Sequence, residues 1–513
     1  MADLFGMSDV TGLTESTAGL TSSPVLDTGD LRRRYNFGDR VSELAIAQDP
    51  FFRLLSKVSK RSTDDPQFKF TERRPSYHKR YAYVTNHGAS APATGAGTDA
   101  TVSSGAVDAG DTYYFVMGTD YKSAGNIGSV FGQSSTEVSI GDSGTQPQFF
   151  MSGQIVKVPY GSSSATFSGG LISAVSGYLL ARVETVDTST VSNYTVLKTT
   201  IVNGASADVE LASYYAANNA SDGQDLSSFT ISTELEPKRS YVVGSAFAQG
   251  SGYPETWKDN PFSTGNGLTQ IWKTALAMDN TTRATVLKYE PSEWARIWRE
   301  KLIEHKWDIE TSILFGSQYT DGSGVQYTQG AVDYIVNYGN IFSGSGMGGT
   351  GTKAQDDFLD DMSQFLDPRY NNANATVFFV PTDVYNWLHK LSGYFSANVQ
   401  KVGTQQYGIG RADFSIGGKK SAFGVDITSI YTPYGIMNVS RNVHLDGTDV
   451  KMLAVNMRYA AYRPLVGNGL NRDTAIYVGV QTLENSGVDR RVDLIQTEAG
   501  MEWQMPEAHA VWK

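Results

Sequence analysis

Apolar side chains between Pro291 and Phe315 recur at helical spacing: Trp294, Trp298, Leu302, Ile309 and Ile313 form one long stripe. Pro291 suits the first helical turn and Gly316 the stop. Arg296 and Glu300 stand at i, i+4. At 1.5 Å per residue such a helix is roughly 35–38 Å long. With Trp294, Trp298 and Trp307 on it, it reads as a structural spine. Near the start of the chain, Asp39 is a candidate N-cap for a short helix with Val41, Leu44, Ala45 and Gln48 on one face. Asp49-Pro50 interrupts it, and Phe51, Leu54, Leu55 and Val58 resume the i, i+3, i+4, i+7 spacing. This arm has apolar faces and little local chain to cover them, so it docks either on the body or on a neighbouring subunit.

Elsewhere the rhythm is that of strands. Residues 67–84 space Phe68, Phe70, Tyr77, Tyr81 and Tyr83 among Arg73, Arg74, Lys79 and Arg80, which predicts an exposed extended strand. Aromatics among cations can stack bases, but an edge or loop at a protein interface is the reading favoured by an acidic chain. From His87 to Gly110 the sequence is nearly all small and polar, a linker or long loop. Apolar runs then recur at Tyr113 to Met117, Gln154 to Val158, Tyr178 to Val186 and Tyr194 to Val202, predicting a small antiparallel β domain. After the spine come glycine-rich turns at 322–324 and 344–351 around an apolar run, Ala331 to Val336. A helix over 354–366 turns Phe358, Leu359, Met362 and Phe365 inward, a strand follows at Thr376–Val380, and a helix opens at Pro381-Thr382-Asp383 with Val384, Trp387, Leu388 and Leu391 on it. That alternation indicates a compact α/β subdomain. Beyond Gly424 strands prevail to the C-terminus.

Composition narrows the chemistry. The 513 residues suffice for roughly two to four domains. No apolar run approaches the ~20 residues of a membrane span, and Met1-Ala2-Asp3-Leu4-Phe5 does not read as a secretory signal. The chain has no cysteine, which removes disulfides, thiolate metal sites and cysteine nucleophiles. The formal net charge of -11 argues against a tight grip on nucleic acid over the whole surface. The pattern at 344–349, Gly344-Ser345-Gly346-Met347-Gly348-Gly349, satisfies GxGxxG but fits a loop better than a dinucleotide site, because Lys353 and an acidic helix follow at once. The six histidines are scattered without paired ligands, and Asp356, Asp357, Asp360 and Asp361 read as a solvated helix face. No catalytic residue, metal site or cofactor is expected.

The order of these parts resembles the major capsid proteins of tailed bacteriophages. The resemblance rests on Val41 to Lys57 as an arm helix, Leu268 to Trp272 leading into Lys301 to Gly316, whose "DIETSILFG" ending is the most specific piece, Thr328-Gln329-Gly330-Ala331 as a turn, Ile430 to Met437, and the closing strands Ala475 to Leu483 and Val492 to Ala499. It covers roughly residues 38–86 and 247–505. It implies an α+β, Hong-Kong-97-like capsid fold with an N-terminal arm (1–60), the first part of an extended loop and a linker (61–111), an inserted β-rich domain (112–245), the second part of the extended loop (246–290), a peripheral domain with the spine helix (291–353), an axial domain (354–450) and peripheral closing strands (451–513). It further implies a homo-oligomer of pentamers and hexamers in an icosahedral shell around double-stranded DNA contacted weakly, without a membrane. Minor capsid or decoration proteins, portal and scaffold would be the further partners. The virion would be its location, after synthesis in the host cytoplasm. Arg32, Arg33, Arg34, Phe51, Phe52, Arg73, Arg74, Lys79 and Arg80 are the expected assembly contacts. A nanocompartment shell of the same fold and a tail or fibre protein are the competing readings.

Overall fold

The computed structural model describes residues 49–73, 80–88, 91, 105–119, 145–162, 167–168, 171–172, 175, 177–211, 239–253, 262–286, 293–348, 353, 355–366, 376–390, 415–422 and 425–513. The spine helix is Glu293–Phe315. Its apolar stripe is buried only in the C-terminal half, where His305, Ile309, Glu310, Ile313 and Leu314 face the core. Trp294, Trp298 and Leu302 stay partly exposed. Trp298 Nε1 instead donates to Asp493 Oδ2 at 3.2 Å, tying this half to the sheet beneath. The helix ends where Gly330 crosses it closely: a Cβ on Gly330 would lie 2.5 Å from the Gly316 nitrogen.

One strand of 17 residues, Ser263–Asp279, joins two parts of the molecule. Its first third pairs with Gln67–Glu72, from Glu72 opposite Ser263 to Gln67 opposite Leu268. From Thr269 onward it pairs with Arg490–Trp503, ending at Asp279 opposite Arg490. Ala460–Pro464 and Ala475–Gln481 pair with Arg490–Trp503 as well, and every pairing is antiparallel. The base of the extended loop is thus continuous with the peripheral sheet.

Seven strands form a second sheet, in the order Asn340–Phe342, Ala510–Trp512, Met452–Asn456, Thr376–Val380, Gly435–Arg441, Val425–Thr432 and Ser415–Ala422. Helix Gln355–Phe365 and the helix at 382–390 supply its core partners. Phe358, Met362, Phe365, Val384 and Trp387 pack with Phe342, Phe378, Met437 and Trp512. Leu391 lies outside the described residues. The sheet therefore overruns the expected axial boundaries of 354 and 450 on both sides. The C-terminal Ala510–Trp512, expected with the peripheral strands, sits inside it. The cause is Trp512, fully buried and stacked 4.8 Å from the Phe342 ring.

The β-rich region closes on itself. Tyr81–Gly88 pairs with Thr112–Gly118, that with Thr195–Asn203, then Gly177–Asp187, Gln154–Ser162 and Ser240–Ser245, which returns to Tyr81–Gly88. The result is an antiparallel barrel, with Gly105–Val107 and Ala205–Leu211 annexed beside Gln154–Ser162. Two expectations change. The β unit begins before residue 112, and the stretch 87–110 contains strand at both ends. The reason is burial: Ala82 and Val84 fill the barrel core with Phe115, Met117, Val156, Leu179 and Leu197. Residues 67–84 are accordingly not one exposed strand. Gln67–Glu72 belongs to the extended-loop pair, and Tyr81 onward belongs to the barrel.

Candidate assembly surfaces

Pro50 opens the arm helix Pro50–Val58 at its first turn, where a missing N–H costs nothing. Phe51, Leu54 and Leu55 enter the main core beside Trp272, Ile309, Ile313, Phe379, Tyr462 and Trp503. Phe51 meets the Phe379 ring edge-on at 5.0 Å, and Phe52 meets Tyr462 at 5.4 Å. Of the two dockings left open by the sequence, this helix takes its own body. Phe51 is fully buried within its own subunit and unavailable to a neighbour, which corrects its expected role; Phe52 keeps a partly exposed edge. The earlier residues 39–48, like Arg32, Arg33 and Arg34, lie outside the described residues.

The first two free amides of the arm helix are capped from the spine helix. Phe51 N donates to Glu310 Oε1 at 3.1 Å and Phe52 N to Oε2 at 2.5 Å. Asn442 Nδ2, at the end of axial strand Gly435–Arg441, donates to Oε1 at 2.8 Å. A negative group at a helix N-terminus is favourable, yet this carboxylate is enclosed. Burial pushes its pKa up to about 7 against the lowering effect of those three donors, and the Asp49 carboxylate raises it further. Arm, spine and axial sheet meet on this one side chain.

The base of the extended loop is built from aromatic rings lying across glycines. Phe70 stands opposite Gly265 and Phe68 opposite Gly267. A Cβ at either glycine would fall 2.4 Å from the facing ring. Arg463 covers Phe68 at 5.1 Å from its centroid, and Glu72 Oε1 accepts from Met505 N at 2.8 Å. Between this base and helix Ala331–Tyr338 lies a cleft of about 530 Å³ lined by Phe70, Glu72, Asp333, Tyr334, Tyr338 and Trp503, among others. Of the remaining expected contacts, Arg73 is exposed with its guanidinium 5.7 Å from the Phe262 ring, and Arg80 is half-buried where the barrel begins. The structure does not bring these two together with the arm; Arg74 and Lys79 lie outside the described residues.

The closing strand Ala475–Gln481 presents a more informative surface. Ala475–Gln481 pairs along one edge with Arg490–Trp503, and among the described residues nothing pairs its other edge. Ile476, Tyr477, Val478 and Val480 are 50%, 43%, 64% and 46% exposed. Leu483 and Val488, in the turn that follows, are also exposed. An open edge with apolar residues on both faces is a liability in a monomer and a template for association. Its signal in the sequence, Ile476-Tyr477-Val478-Gly479-Val480 without alternating polar positions, was legible as strand but not as surface.

Among the described residues no three His, Cys, Asp or Glu side chains converge as a metal site. His305 is enclosed between Thr274 and Thr497 hydroxyls, each 2.8 Å from a ring nitrogen, and burial lowers its pKa. The described part of the glycine-rich loop closes against the axial domain, with Met347 buried and Lys353 Nζ on Ser343 O at 2.7 Å. A long stiff helix, an arm that locks into its own core and an uncovered sheet edge define a structural subunit built to associate. The chain belongs to the SU10 major capsid protein family, whose model matches residues 16–513. It is thereby a protein of the tailed-phage major capsid class that the resemblance implied, and its helices and sheets are mixed along the chain as an α+β fold requires.

A 100-residue stretch is 32% identical to the major capsid protein of Pseudomonas phage PaMx41, covering 19% of this chain and 24% of that protein, so the match spans about a quarter of the relative. Among solved structures the chain is similar to one from Microbacterium phage Oxtober96, with a TM-score of 0.33, 13% identity, and coverage of 53% of this chain and 81% of that one. The capsid of an empty GTA particle gives a TM-score of 0.33 and 10% identity over 53% and 80%.

Proposed function

We propose that many copies of this chain, as pentamers and hexamers, tile the icosahedral head shell that encloses a double-stranded DNA genome. The observation that carries this reading is family membership along nearly the whole chain, supported by the open apolar edge at Ala475–Gln481. The role is structural. In the subunit, residues up to about 60 act as the arm, and the paired strands Gln67–Glu72 and Ser263–Asp279 support the extended loop. The spine helix stiffens the peripheral sheet, the seven-stranded sheet forms the axial domain, and the barrel is the insertion. Arm and loop reach over neighbours and bury area that one subunit cannot cover alone. Arg73, Arg74, Lys79 and Arg80, at the junction of loop and barrel, and Arg32, Arg33 and Arg34 on the arm supply charge for those contacts. A net charge of -11 keeps contact with packaged DNA weak. Portal, scaffold, minor capsid and decoration proteins complete the partners of such a shell, which is made in the host cytoplasm and retained in the virion. Electron microscopy of purified particles tests this: the chain should be the dominant repeating unit of an icosahedral shell filled with DNA. Finding it as one small ring or fibre per particle overturns the proposal, and a shell filled with protein cargo instead of DNA points to a compartment.

A further inference from the structure

The cleft beside the extended loop has the chemistry of an arginine site. Two aromatic rings reach its mouth, the half-buried Phe70 on the loop and the exposed Tyr338 on the body, above a buried floor that includes Tyr334 and Trp503, and most of the remaining lining is polar. Its charged side chains are carboxylates, Glu72 on the loop strand and Asp333 on the facing helix. Asp333 accepts from Gln329 Nε2 and Asn337 Nδ2, both at 3.3 Å, so neutral amides hold it in place. The Asp333 carboxylate beside the Phe70 and Tyr338 rings suits a guanidinium, which stacks on aromatic faces and binds a carboxylate through paired N–H groups, and Glu72, which already accepts from Met505 N, adds negative charge across the cleft.

The chain carries one run of three consecutive arginines, Arg32-Arg33-Arg34, followed by Tyr35. It precedes the arm helix, and that helix begins beside the cleft. The Phe51 ring lies 6.3 Å from Trp503, and Trp503 lies 5.9 Å from Tyr334, both rings of the cleft. Fourteen residues lie between Arg34 and Asp49, and that span reaches about 50 Å when extended. The run is therefore tethered close to the cleft at high effective concentration.

We propose that Arg32–Arg34 docks in this cleft of its own subunit, folding the arm back against the base of the extended loop before assembly. The inference goes beyond the shell reading and concerns the unassembled chain. Because the protein lacks cysteine, two introduced thiols report contact directly. Full-length unassembled subunits carrying Arg33→Cys and Asn337→Cys are oxidised and run without reductant. A control pairs Arg33→Cys with Ser421→Cys at the far edge of the axial sheet. The expected result is an intrachain crosslink about tenfold above the control yield, as a local tether requires. It should fall at 1 M salt and on adding Asp333→Lys, and recover when Arg32→Glu and Arg34→Glu are added to Asp333→Lys. Equal yields from the two pairs overturn the proposal. So does a crosslink found only in dimers, which would assign the cleft to a neighbour's arm.

Discussion

Glu310 offers the most direct test of how the arm is held. Its carboxylate accepts from Phe51 N, Phe52 N and Asn442 Nδ2 alike. Truncation by Glu310→Ala leaves those three donors without this acceptor in a buried site, at ~1–3 kcal/mol for each unpaired group. The arm helix should then detach before the body unfolds. Glu310→Gln is subtler, because it keeps one acceptor oxygen and removes the titration. The carboxyl pKa is about 7 in place against an ordinary 4.5, a difference worth about 3 kcal/mol at ~1.36 kcal/mol per unit. Because the folded value is the higher one, the protonated carboxyl favours the docked state. Its contribution is fully present below about pH 4.5 and is lost as pH rises through 7. Wild type should therefore lose about 3 kcal/mol more than Glu310→Gln between pH 4.5 and 8. The measurement is denaturant unfolding of dissociated subunits across that range, with hydrogen exchange at the Phe51 and Phe52 amides to localise the change. Identical pH slopes in wild type and Glu310→Gln, or unprotected Phe51 and Phe52 amides in wild type, would refute the reasoning.

His509 should act in the opposite sense. It accepts from Asn456 N at Nδ1 (3.2 Å) and donates from Nε2 to Gln504 O (3.1 Å), and burial lowers its pKa to about 4. The stability it contributes is present above about pH 6.5 and is lost as pH falls to 4, again about 3 kcal/mol; acid unfolding of His509→Gln should lack that loss. Gly500→Ala places a methyl 2.5 Å from Leu268 O and 2.7 Å from the Phe68 ring, so thermal unfolding should show a loss of ~1–3 kcal/mol, while Gly322→Ala, with open space around it, shows almost none. Deletion of residues 1–48 should leave a soluble, folded body that fails to close shells, checked by circular dichroism and microscopy. Deletion of 1–60 should also destabilise the body, since it removes Phe51, Leu54 and Leu55 from the core; equal stability of the two truncations would contradict the docking of the arm helix.

The sequence by itself determined the elements whose burial repeats locally. The spine helix, the arm helix, strand Thr376–Val380 and the main barrel strands all follow from periods of 3.6 or 2, and the order of these parts was enough to point to a capsid subunit. Periodicity is written by one face meeting one core, so it reports that a face is buried and not against what. Tertiary structure alone decided the pairings. Ala510–Trp512 and Asn340–Phe342 are three residues each, too short to carry a period, and join the axial sheet because Trp512 needs a cavity that distant residues line. Tyr81 to Val84 reads as the end of an exposed strand over 67–84 until the return partner Ser240–Ser245 closes the barrel. The half of the spine left exposed, and the free edge at Ala475–Gln481, depend on which neighbours arrive. Glu310 looks like any helix-surface glutamate in "DIETSILFG"; it became the arm's anchor because Pro50–Val58, some 260 residues earlier in the chain, presents two unpaired amides to it.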